Sequence, residues 1–324
     1  MCARTFDSRF KATSGWNMSM KIFDKVLPML PKAVKVYAFG NGEPLLNKNF
    51  MEMIKIIKSF DAIVHFNTNG VLLNEKNNEL LVKVGLDSIV FSFDAATKET
   101  YEKIRRGANY EKVLNNVKNL VDLKKRFHKF NPYIGFAVVG MKQNINEIPQ
   151  LLNLAKDLGV ESVYIEPLLW QNDPTYEKYF NYQNLSNIEP IEIGKIMETC
   201  KNLAKKIGIN FTSPLLKADD YEFIQKKEIE IIREKESRDE LFCTQPWTTI
   251  FIDWDGKVHP CCGTEEIFGD LNFQPLIKIF NNEKFISLRK SIIDKKITEY
   301  CNNCVKNKRN KNVIPEISNI LGYG

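Results

Sequence analysis

Cysteines are the residues of this sequence whose type and spacing best suit a specific chemistry. The chain has 324 residues and seven cysteines, and five of these fall between positions 243 and 304. Cys301 and Cys304 form a C-x-x-C pair whose two sulfurs can reach one metal ion. Cys243 lies at the entry of a predicted hairpin, and Cys261 and Cys262 lie at its exit, so these thiols can converge at one end. The spacing therefore indicates a Cys₄ metal site with one cysteine to spare.

Spacing alone leaves the identity of the metal open. A zinc ribbon usually has two C-x-x-C pairs, whereas here one half is open, from Cys243 to Cys261, so zinc and an iron–sulfur cluster both fit. Cys200 stands alone on a predicted helix and is interpreted as a small buried hydrophobe. Cys2 comes one residue after the start, and no predicted element precedes it.

Other polar residues give weaker signals. His65, His128 and His259 are isolated in the sequence, which favours packing or surface roles over a catalytic triad. The segment GNGEP (40–44) lacks the third glycine of a dinucleotide-binding fingerprint. No residue can be assigned from these patterns as a general base, so the catalytic residues are left unassigned.

The first two-thirds of the chain alternates short apolar strands with helices. Near-continuous apolar strands separated by helices are typical of a parallel sheet built from βαβ units, in which ligands bind at the carboxyl ends of the strands. The predicted strands are 34–40, 62–70, 88–94, 133–139 and 162–168. The predicted helices are 19–30, 49–60, 74–85, 109–125, 146–159, 186–210 and 218–240.

The last third of the chain has a different pattern. The segment TTIFIDWDGKVHPCC (248–262) has an Asp-Gly turn between two apolar runs, which predicts a β-hairpin. We therefore predict an α/β domain with a parallel sheet over 1–215, a helical linker over 216–240 and a small cysteine-rich domain over 241–324.

Composition excludes several classes of protein. The net charge of +6 is small and its lysines are scattered, so we expect no nucleic-acid partner. No apolar run reaches the roughly 18–20 residues of a membrane span, and no secretory signal is readable, so we expect no membrane partner and a cytoplasmic location. In a reducing compartment, cysteines serve as metal ligands or catalytic groups more often than as disulfides.

Several motifs, taken in order, resemble those of radical SAM enzymes with a C-terminal SPASM or Twitch-type domain. They are FGNGEPLL (39–46), NTNG (67–70), VFSFDAATKETYEKIRRGANYEKVLNNV (90–117) and the late cysteine block. The resemblance implies a partial (β/α)₆ TIM-like barrel, here without its first strand because five strands are counted where six are expected. It also implies a [4Fe–4S] cluster, held by a C-x-x-x-C-x-x-C loop, that reductively cleaves S-adenosylmethionine (SAM). The resulting 5′-deoxyadenosyl radical abstracts hydrogen from a substrate.

The resemblance also assigns a set of residues to SAM binding. Glu43 matches the acidic residue that takes the methionine ammonium, Gly42 allows close backbone approach, and Arg105 matches an arginine that reaches the ribose or carboxylate. Asn144 fits a further polar contact after the fifth family strand. The full predicted set is Asn41, Gly42, Glu43, Pro44, Thr68, Asn69, Ser92, Asp94, Arg105 and Asn144.

In the C-terminal segment the resemblance favours iron–sulfur over zinc. It implies one auxiliary [4Fe–4S] cluster with Cys243, Cys261, Cys301 and Cys304 as ligands and Cys262 as a substitute for Cys261. A flavodoxin- or ferredoxin-type protein is the implied electron donor. The implied substrate is a peptide or a small sugar-like molecule.

Cys2 stands where the family has the third cysteine of its SAM-cluster loop. The first two family cysteines are missing, so we expect an N-terminally truncated chain that holds this cluster poorly and is inactive as given. The alternative from another class of protein is a non-catalytic zinc-binding or interaction protein built on a barrel remnant.

Overall fold

A computed structural model describes residues 16–40, 42–168, 174–216, 243–294, 296, 298 and 301 of the chain. These residues divide by their contacts into two compact units, one holding residues 34–216 and the other holding residues 16–33 and 243–301. Within the described residues, no helix is long and apolar enough to cross a membrane.

The first unit is built on a six-stranded parallel sheet whose strands lie side by side in sequence order. Parallel pairing needs a crossover after each strand, and helices provide most of these crossovers. The strands are β1 (Lys35–Tyr37), β2 (Ile63–Thr68), β3 (Ser88–Ser92), β4 (Tyr133–Gly140), β5 (Ser162–Pro167) and β6 (Asn210–Thr212).

Polar N-caps and left-handed glycines set the limits of several helices. Side chains of Asn74, Thr97 and Asn109 accept backbone N–H groups at helix N-termini, and Gly159 and Gly208 end helices at positive φ. In this unit the helices are α2 (Phe50–Lys58), α3 (Glu75–Lys83), α4 (Lys98–Ile104), α5 (Tyr110–Arg126), α6 (Ile148–Leu158), α7 (Pro174–Gln183) and α8 (Pro190–Ile207). Short 3₁₀ helices span Pro44–Leu46, Ile145–Glu147, Leu185–Asn187 and Pro214–Leu216.

Side chains of the central strands alternate between two environments. Phe66, Phe91 and Val138 belong to a fully buried face, as expected where helices cover a sheet. The intervening residues are half-buried, and we call them the open face: His65, Asn67, Val90, Ser92, Ala137, Val139, Tyr164 and Glu166. This alternation leaves one side of the sheet accessible next to the carboxyl ends of its strands.

The amino ends of the strands are fastened by a repeated arrangement that we call the braces. Asp87, just before β3, accepts the Val64 N–H at 2.7 Å and pairs with Lys58 at 2.7 Å. Glu161, just before β5, accepts the Ile134 N–H at 2.6 Å and pairs with Lys124. Each brace joins a helix to the strand that follows it and to the start of the next strand.

The second unit combines a short N-terminal segment with the C-terminal residues. Its apolar core includes Ile22, Val258, Leu271 and Phe285, and Lys25 Nζ donates to the Leu271 carbonyl at 2.8 Å. The elements are α1 (Met20–Asp24), a 3₁₀ helix (Leu27–Lys32), α9 (Gln245–Thr248), β7 (Phe251–Ile252), β8 (Lys257–His259), β9 (Gly269–Asp270), α10 (Leu276–Phe280) and α11 (Glu283–Ile293). Strands β7, β8 and β9 form an antiparallel sheet.

The structure confirms the α/β class, the parallel sheet and the hairpin, and it corrects three details. The count of five strands is wrong because β6 follows α8 directly, where the sequence predicts a helix to residue 210. A third strand, β9, extends the hairpin. Residues 16–33 cluster with the C-terminal unit, whereas the predicted division assigns them to the barrel. The predicted helix 218–240 lies outside the described residues.

Candidate functional site

Glu43 joins the ends of β1 and β2. The chain turns after β1, and the Glu43 side chain caps the short 3₁₀ helix that begins at Pro44, accepting the Leu45 N–H at 3.2 Å. The same oxygen accepts from Thr68 Oγ1 at 2.7 Å, and the other accepts from the Asn69 N–H at 2.7 Å. A carboxylate has about four acceptor sites, and Glu43 receives three donors from the described residues. One site is therefore left for a further donor such as an ammonium group.

Thr68 and Asn69 hold this carboxylate through a tight turn after β2. The buried Thr68 hydroxyl donates to Glu43 and accepts the Gly70 N–H at 3.0 Å. Asn69 Oδ1 accepts the Val71 N–H at 2.9 Å. Gly70 has φ +74°, and a Cβ there would lie 2.9 Å from the Phe91 ring, so the position favours glycine. The turn is thus fixed on both sides of the residues that contact Glu43.

Asp94 and Arg105 form a second cluster after β3. Asp94 is 2% exposed, and its carboxylate accepts the Val139 N–H at 2.8 Å and pairs with an Arg105 terminal nitrogen at 2.7 Å. Arg105 follows α4, and its Nε is buried without a partner among the described residues. An unmatched buried donor beside an ion pair is typical of a place where a ligand or a water supplies an acceptor.

Asn144 supports the Asp94 cluster from within the protein. The side chain is fully buried, and its Nδ2 donates to the carbonyls of Asp94 at 2.7 Å and Val139 at 2.9 Å. Its Oδ1 accepts the Met141 N–H at 2.8 Å. The structure therefore gives Asn144 a positioning role, and its predicted contact with SAM stays a prediction.

Glu147 is a positioning residue that the sequence does not reveal. Its carboxylate accepts the N–H groups of Ala96 and Thr97 at 3.1 Å each, and the hydroxyls of Thr97 and Thr100. Glu147 therefore stabilises two neighbouring segments, the loop after Asp94 and the start of α4. The partners lie 47 to 51 residues away in sequence, so no local pattern could have indicated the contact.

The remaining predicted residues lie near these two clusters. Ser92 is half-buried at the end of β3, and Gly42 is exposed with φ +154°. Pro44 begins the 3₁₀ helix after Glu43. Asn41 lies outside the described residues. Because the carboxyl ends of neighbouring parallel strands share one edge, the structure places both clusters along the same edge of the sheet.

These groups fit a zwitterionic cofactor of the SAM type. The Glu43 carboxylate complements a cation, and the unmatched Arg105 Nε complements an acceptor oxygen. Among the described residues other than its chain neighbours, none has an atom within 4 Å of the place where a Cβ on Gly40 would stand. All the residues that fit SAM here belong to the first unit.

The cysteines of the second unit are only partly brought together. Cys243 and Cys301 are half-buried against the same apolar core, and burial, with a contribution from Cys301, raises the pKa of Cys243. A thiol with a raised pKa stays protonated at neutral pH until a metal displaces the proton. The Cys261 Sγ accepts the Gly263 N–H at 3.4 Å, and Cys262 is exposed.

The described residues do not complete a metal site. They contain no group of three or more His, Cys, Asp or Glu side chains placed to hold a metal ion. Cys2 and Cys304 lie outside the described residues. Cys200 is fully buried on α8 and burial raises its pKa to about 12, which confirms its interpretation as an inert hydrophobe.

His259 and the Asp-Gly turn stabilise the hairpin that leads to Cys261. His259 Nε2 lies 2.9 Å from Asp253 Oδ2, and its Nδ1 lies 2.9 Å from the Glu266 carbonyl. Gly256 has φ +92° at the turn. Asp253 therefore holds His259 within the hairpin.

Comparisons with known proteins identify the family. The family described as the radical SAM superfamily matches residues 6–155, and an iron–sulfur cluster-binding domain, SPASM, matches residues 243–305. A probable GTP 3′,8-cyclase from Methanocaldococcus jannaschii is 30% identical over 254 residues, which cover 78% of this chain and 76% of the relative. The chain belongs to the radical SAM superfamily. It therefore uses SAM and a [4Fe–4S] cluster, and its SPASM domain implies an auxiliary iron–sulfur cluster.

Two further relatives complete the comparison. A cofactor-modifying protein for a tungsten-containing aldehyde ferredoxin oxidoreductase, from Pyrococcus furiosus, is 29% identical over 175 residues. The match covers 52% of this chain and about half, 48%, of that relative. The crystal structure of anSMEcpe with bound AdoMet and the Kp18Cys peptide superposes with a TM-score of 0.54 at 15% identity, covering 89% of this chain and 78% of that one. This likeness supports the partial-barrel fold.

Proposed function

We propose that this protein is a radical SAM enzyme that abstracts a hydrogen atom from a peptide substrate, with an auxiliary cluster that assists the reaction. The single observation that carries the proposal is the Glu43 carboxylate, held by Thr68 and Asn69 with one acceptor site open. When bound and reduced, SAM and its cluster supply a 5′-deoxyadenosyl radical as the hydrogen-abstracting species.

The residues at the strand ends have different roles in binding SAM. Glu43 accepts the methionine ammonium, and the three donors that fix its carboxylate keep this acceptor in place before SAM arrives. Arg105 offers its free Nε to an oxygen of SAM while Asp94 holds the guanidinium. Asn144 and Glu147 keep the loop around Asp94 in position.

The C-terminal unit contributes the auxiliary [4Fe–4S] cluster. Cys243, Cys261, Cys301 and Cys304 remain the proposed ligands, and the closeness of Cys243 and Cys301 supports two of the four. The cluster would accept an electron after hydrogen abstraction, which makes the net reaction oxidative. A flavodoxin- or ferredoxin-type protein supplies the first electron, and no nucleic-acid or membrane partner is proposed.

A peptide is the substrate class that the open face supports best. A nucleoside triphosphate is the second candidate because the 30% identical relative is named for GTP. A triphosphate needs several cations, yet Lys35 is the one cation that the described strands place on this side of the sheet. A small sugar-like substrate remains compatible with the same face.

The test is formation of 5′-deoxyadenosine by anaerobically reconstituted protein supplied with dithionite and SAM. The inactivity of the chain as given stays a prediction, so the assay compares it with a variant that carries two added cysteines ahead of Cys2, in a C-x-x-x-C-x-x-C spacing. Glu43→Gln weakens SAM binding and lowers product formation about 10- to 100-fold, since a charge-assisted hydrogen bond is lost. Glu52→Gln, on the exposed side of α2, is the matched control. If the cluster-loaded, SAM-bound variant with the added cysteines forms no 5′-deoxyadenosine, the proposal is overturned.

A further inference from the structure

Lys35 places a cation on the open face, and the proposed function assigns it no role. It is half-buried at the start of β1, and it shares one side of the strand with Tyr37 and Phe39, because side chains two residues apart point the same way. The rings of Tyr37 and Phe39 meet His65 edge-on at centroid distances of 5.7 and 5.6 Å. Since His65 belongs to the open face, Lys35 belongs to it too.

The described carboxylates that could neutralise this cation are engaged or distant. Asp87 attracts Lys35, but its carboxylate pairs with Lys58 at 2.7 Å and accepts the Val64 N–H at 2.7 Å. Glu166 is the acidic side chain of the open face, and it lies on β5, four strands from β1, or roughly 19 Å along the sheet. Lys35 therefore forms no ion pair with a residue that the structure describes.

Burial makes this unpaired ammonium costly. It lowers the pKa of Lys35, and its effect outweighs the attraction of Asp87, which raises the pKa. Lysine side chains are rarely buried without a partner, because loss of hydration disfavours the charged form. An anion bound beside Lys35 would supply the missing partner.

Tyr37 sets the position of the ammonium and offers a second donor. Lys35 Nζ lies 4.7 Å from the Tyr37 ring centroid, which is a cation–π distance. The Tyr37 hydroxyl has no hydrogen-bond partner among the described residues, and burial raises its pKa, so the hydroxyl stays protonated and can donate. The side chain is 45% exposed, so a ligand on the open face can reach it.

A carboxylate is the anion that these two donors suit. One ammonium and one hydroxyl match the single charge and the two oxygens of a carboxylate, whereas a phosphate chain needs several cations. The neighbouring His65 adds no second cation. Its pKa is lowered to about 4 by burial and by Lys35, so the ring is neutral at physiological pH.

The position of Lys35 along the sheet suits one end of an extended ligand. Lys35 is in register with Ile63 at the start of β2, and Thr68, which contacts Glu43, ends the same strand five residues further on. This separation corresponds to roughly 16 Å, a length that about five residues of an extended peptide span. A peptide anchored at Lys35 can thus present a more distant residue at the edge where SAM is proposed to bind.

We propose that Lys35, together with the Tyr37 hydroxyl, binds a carboxylate group of the peptide substrate on the open face. Lys35 is thus a specificity-determining residue, and the Tyr37 ring positions its ammonium. The carboxylate belongs to the C-terminus of the peptide or to an acidic side chain, since both have the same chemistry. This inference rests on the proposed function, because it names the group by which the site selects its peptide.

The experiment follows the Lys35 side chain by NMR in the full chain labelled with ¹³C-lysine, with the resonance assigned by its loss in Lys35→Met. Two pairs of probes differ only in charge: acetyl-Ala-Glu-Ala amide against acetyl-Ala-Gln-Ala amide, and acetyl-trialanine acid against its amide. At least one acid is expected to shift the resonance and to bind about tenfold more tightly than its neutral counterpart, because a charge-assisted hydrogen bond is gained. The pair that shows the preference identifies the source of the carboxylate.

Variants connect this preference with the two side chains. Lys35→Met is expected to abolish it, and Lys35→Arg, which keeps the charge, is expected to retain it. Lys76→Met removes the same charge from an exposed position of α3 and should leave the preference unchanged. Positioning by Tyr37 has its own readout: Tyr37→Leu should move the Lys35 resonance in the free protein, because the ring is lost, whereas Tyr37→Phe should not.

The outcome is independent of the radical reaction. No iron, electron donor or turnover is needed, so failure to form 5′-deoxyadenosine leaves this readout intact. The proposal is overturned if neither acid binds more tightly than its neutral counterpart, if the preference persists in Lys35→Met, or if GTP shifts the Lys35 resonance at lower concentration than both acids.

Discussion

Hydrogen bonds from neighbouring strands determine the positions of the polar side chains in the candidate site. The Glu43 carboxylate is set by donors from β2 and the following turn, and Asp94 is set by β4 and Arg105. Asn144 shows a different case, because its amide hydrogen-bonds to three backbone groups and supports the loop around Asp94. A residue's polarity in a motif therefore does not distinguish contact from support.

His65 gives a prediction about pH at the residue scale. The pKa of His65 falls from 6.5 to about 4 on folding, with Lys35 and Tyr37 as the titratable groups facing it among the described residues. Between these two pH values the unfolded chain binds a proton that the folded chain does not, so stability is complete above the unfolded pKa and falls as pH drops. From about pH 7.5 to about pH 5, the unmodified protein should lose roughly 2 kcal/mol more than His65→Gln.

Urea unfolding of the two proteins at both pH values measures this difference. His128→Gln serves as the control, since the His128 side chain makes no hydrogen bond to the residues that the structure describes. Equal losses in the unmodified protein and in His65→Gln would show that His65 is not buried in its neutral form.

At the scale of elements, the braces tie α2 and α5 to the amino ends of the strands, at the edge opposite the candidate site. Asp87→Asn and Glu161→Gln each remove an ion pair and weaken a hydrogen bond to a strand N–H. Each is expected to lower the free energy of unfolding by about 1–3 kcal/mol while leaving SAM binding unchanged. Glu79→Gln breaks an exposed pair within α3 and should leave stability unchanged.

Urea denaturation and SAM titration of these variants test whether the braces affect the free energy of unfolding without affecting SAM binding. A brace variant that loses SAM affinity with no change in stability would contradict it.

The elements also show how far sequence patterns reach. Apolar runs predicted β1–β5, and the Asp-Gly turn predicted the hairpin, because period and turn chemistry are local signals. Strand β6 has three residues directly after the glycine that ends α8, too few to show a period. The motif GEP predicted Glu43, whereas the contacts of Glu147 join segments about 50 residues apart and left no local signal.

At the scale of the whole molecule, the described residues form two units whose chain segments are interleaved. Residues 16–33 supply Ile22 and Lys25 to the C-terminal unit, although about 210 residues separate them from Cys243. Their apolar spacing indicates a helix but does not specify which core it joins. Contact between segments far apart in sequence is the information that a single sequence lacks.

Ile22→Ala tests this assignment. Ile22 is 6% exposed among Val258, Leu271 and their neighbours, so the cavity left by truncation should destabilise the C-terminal unit by about 2–4 kcal/mol. The readout is amide hydrogen exchange, which should accelerate in β8 and α11 and stay unchanged in β2–β5. Ile191→Ala, at an exposed position of α8, is the control. Faster exchange in the sheet of the first unit alone would contradict the assignment.

Iron and sulfide analysis of anaerobically purified protein tests the central claim most directly. The auxiliary cluster by itself predicts about four iron and four sulfide per chain, and a retained SAM cluster would add up to four of each. Cys243→Ser and Cys301→Ser should lower both contents sharply, whereas Cys200→Ser and Cys262→Ser should retain them. Stoichiometric zinc, or protein without iron after reconstitution, would contradict the assignment of an iron–sulfur centre to the C-terminal unit.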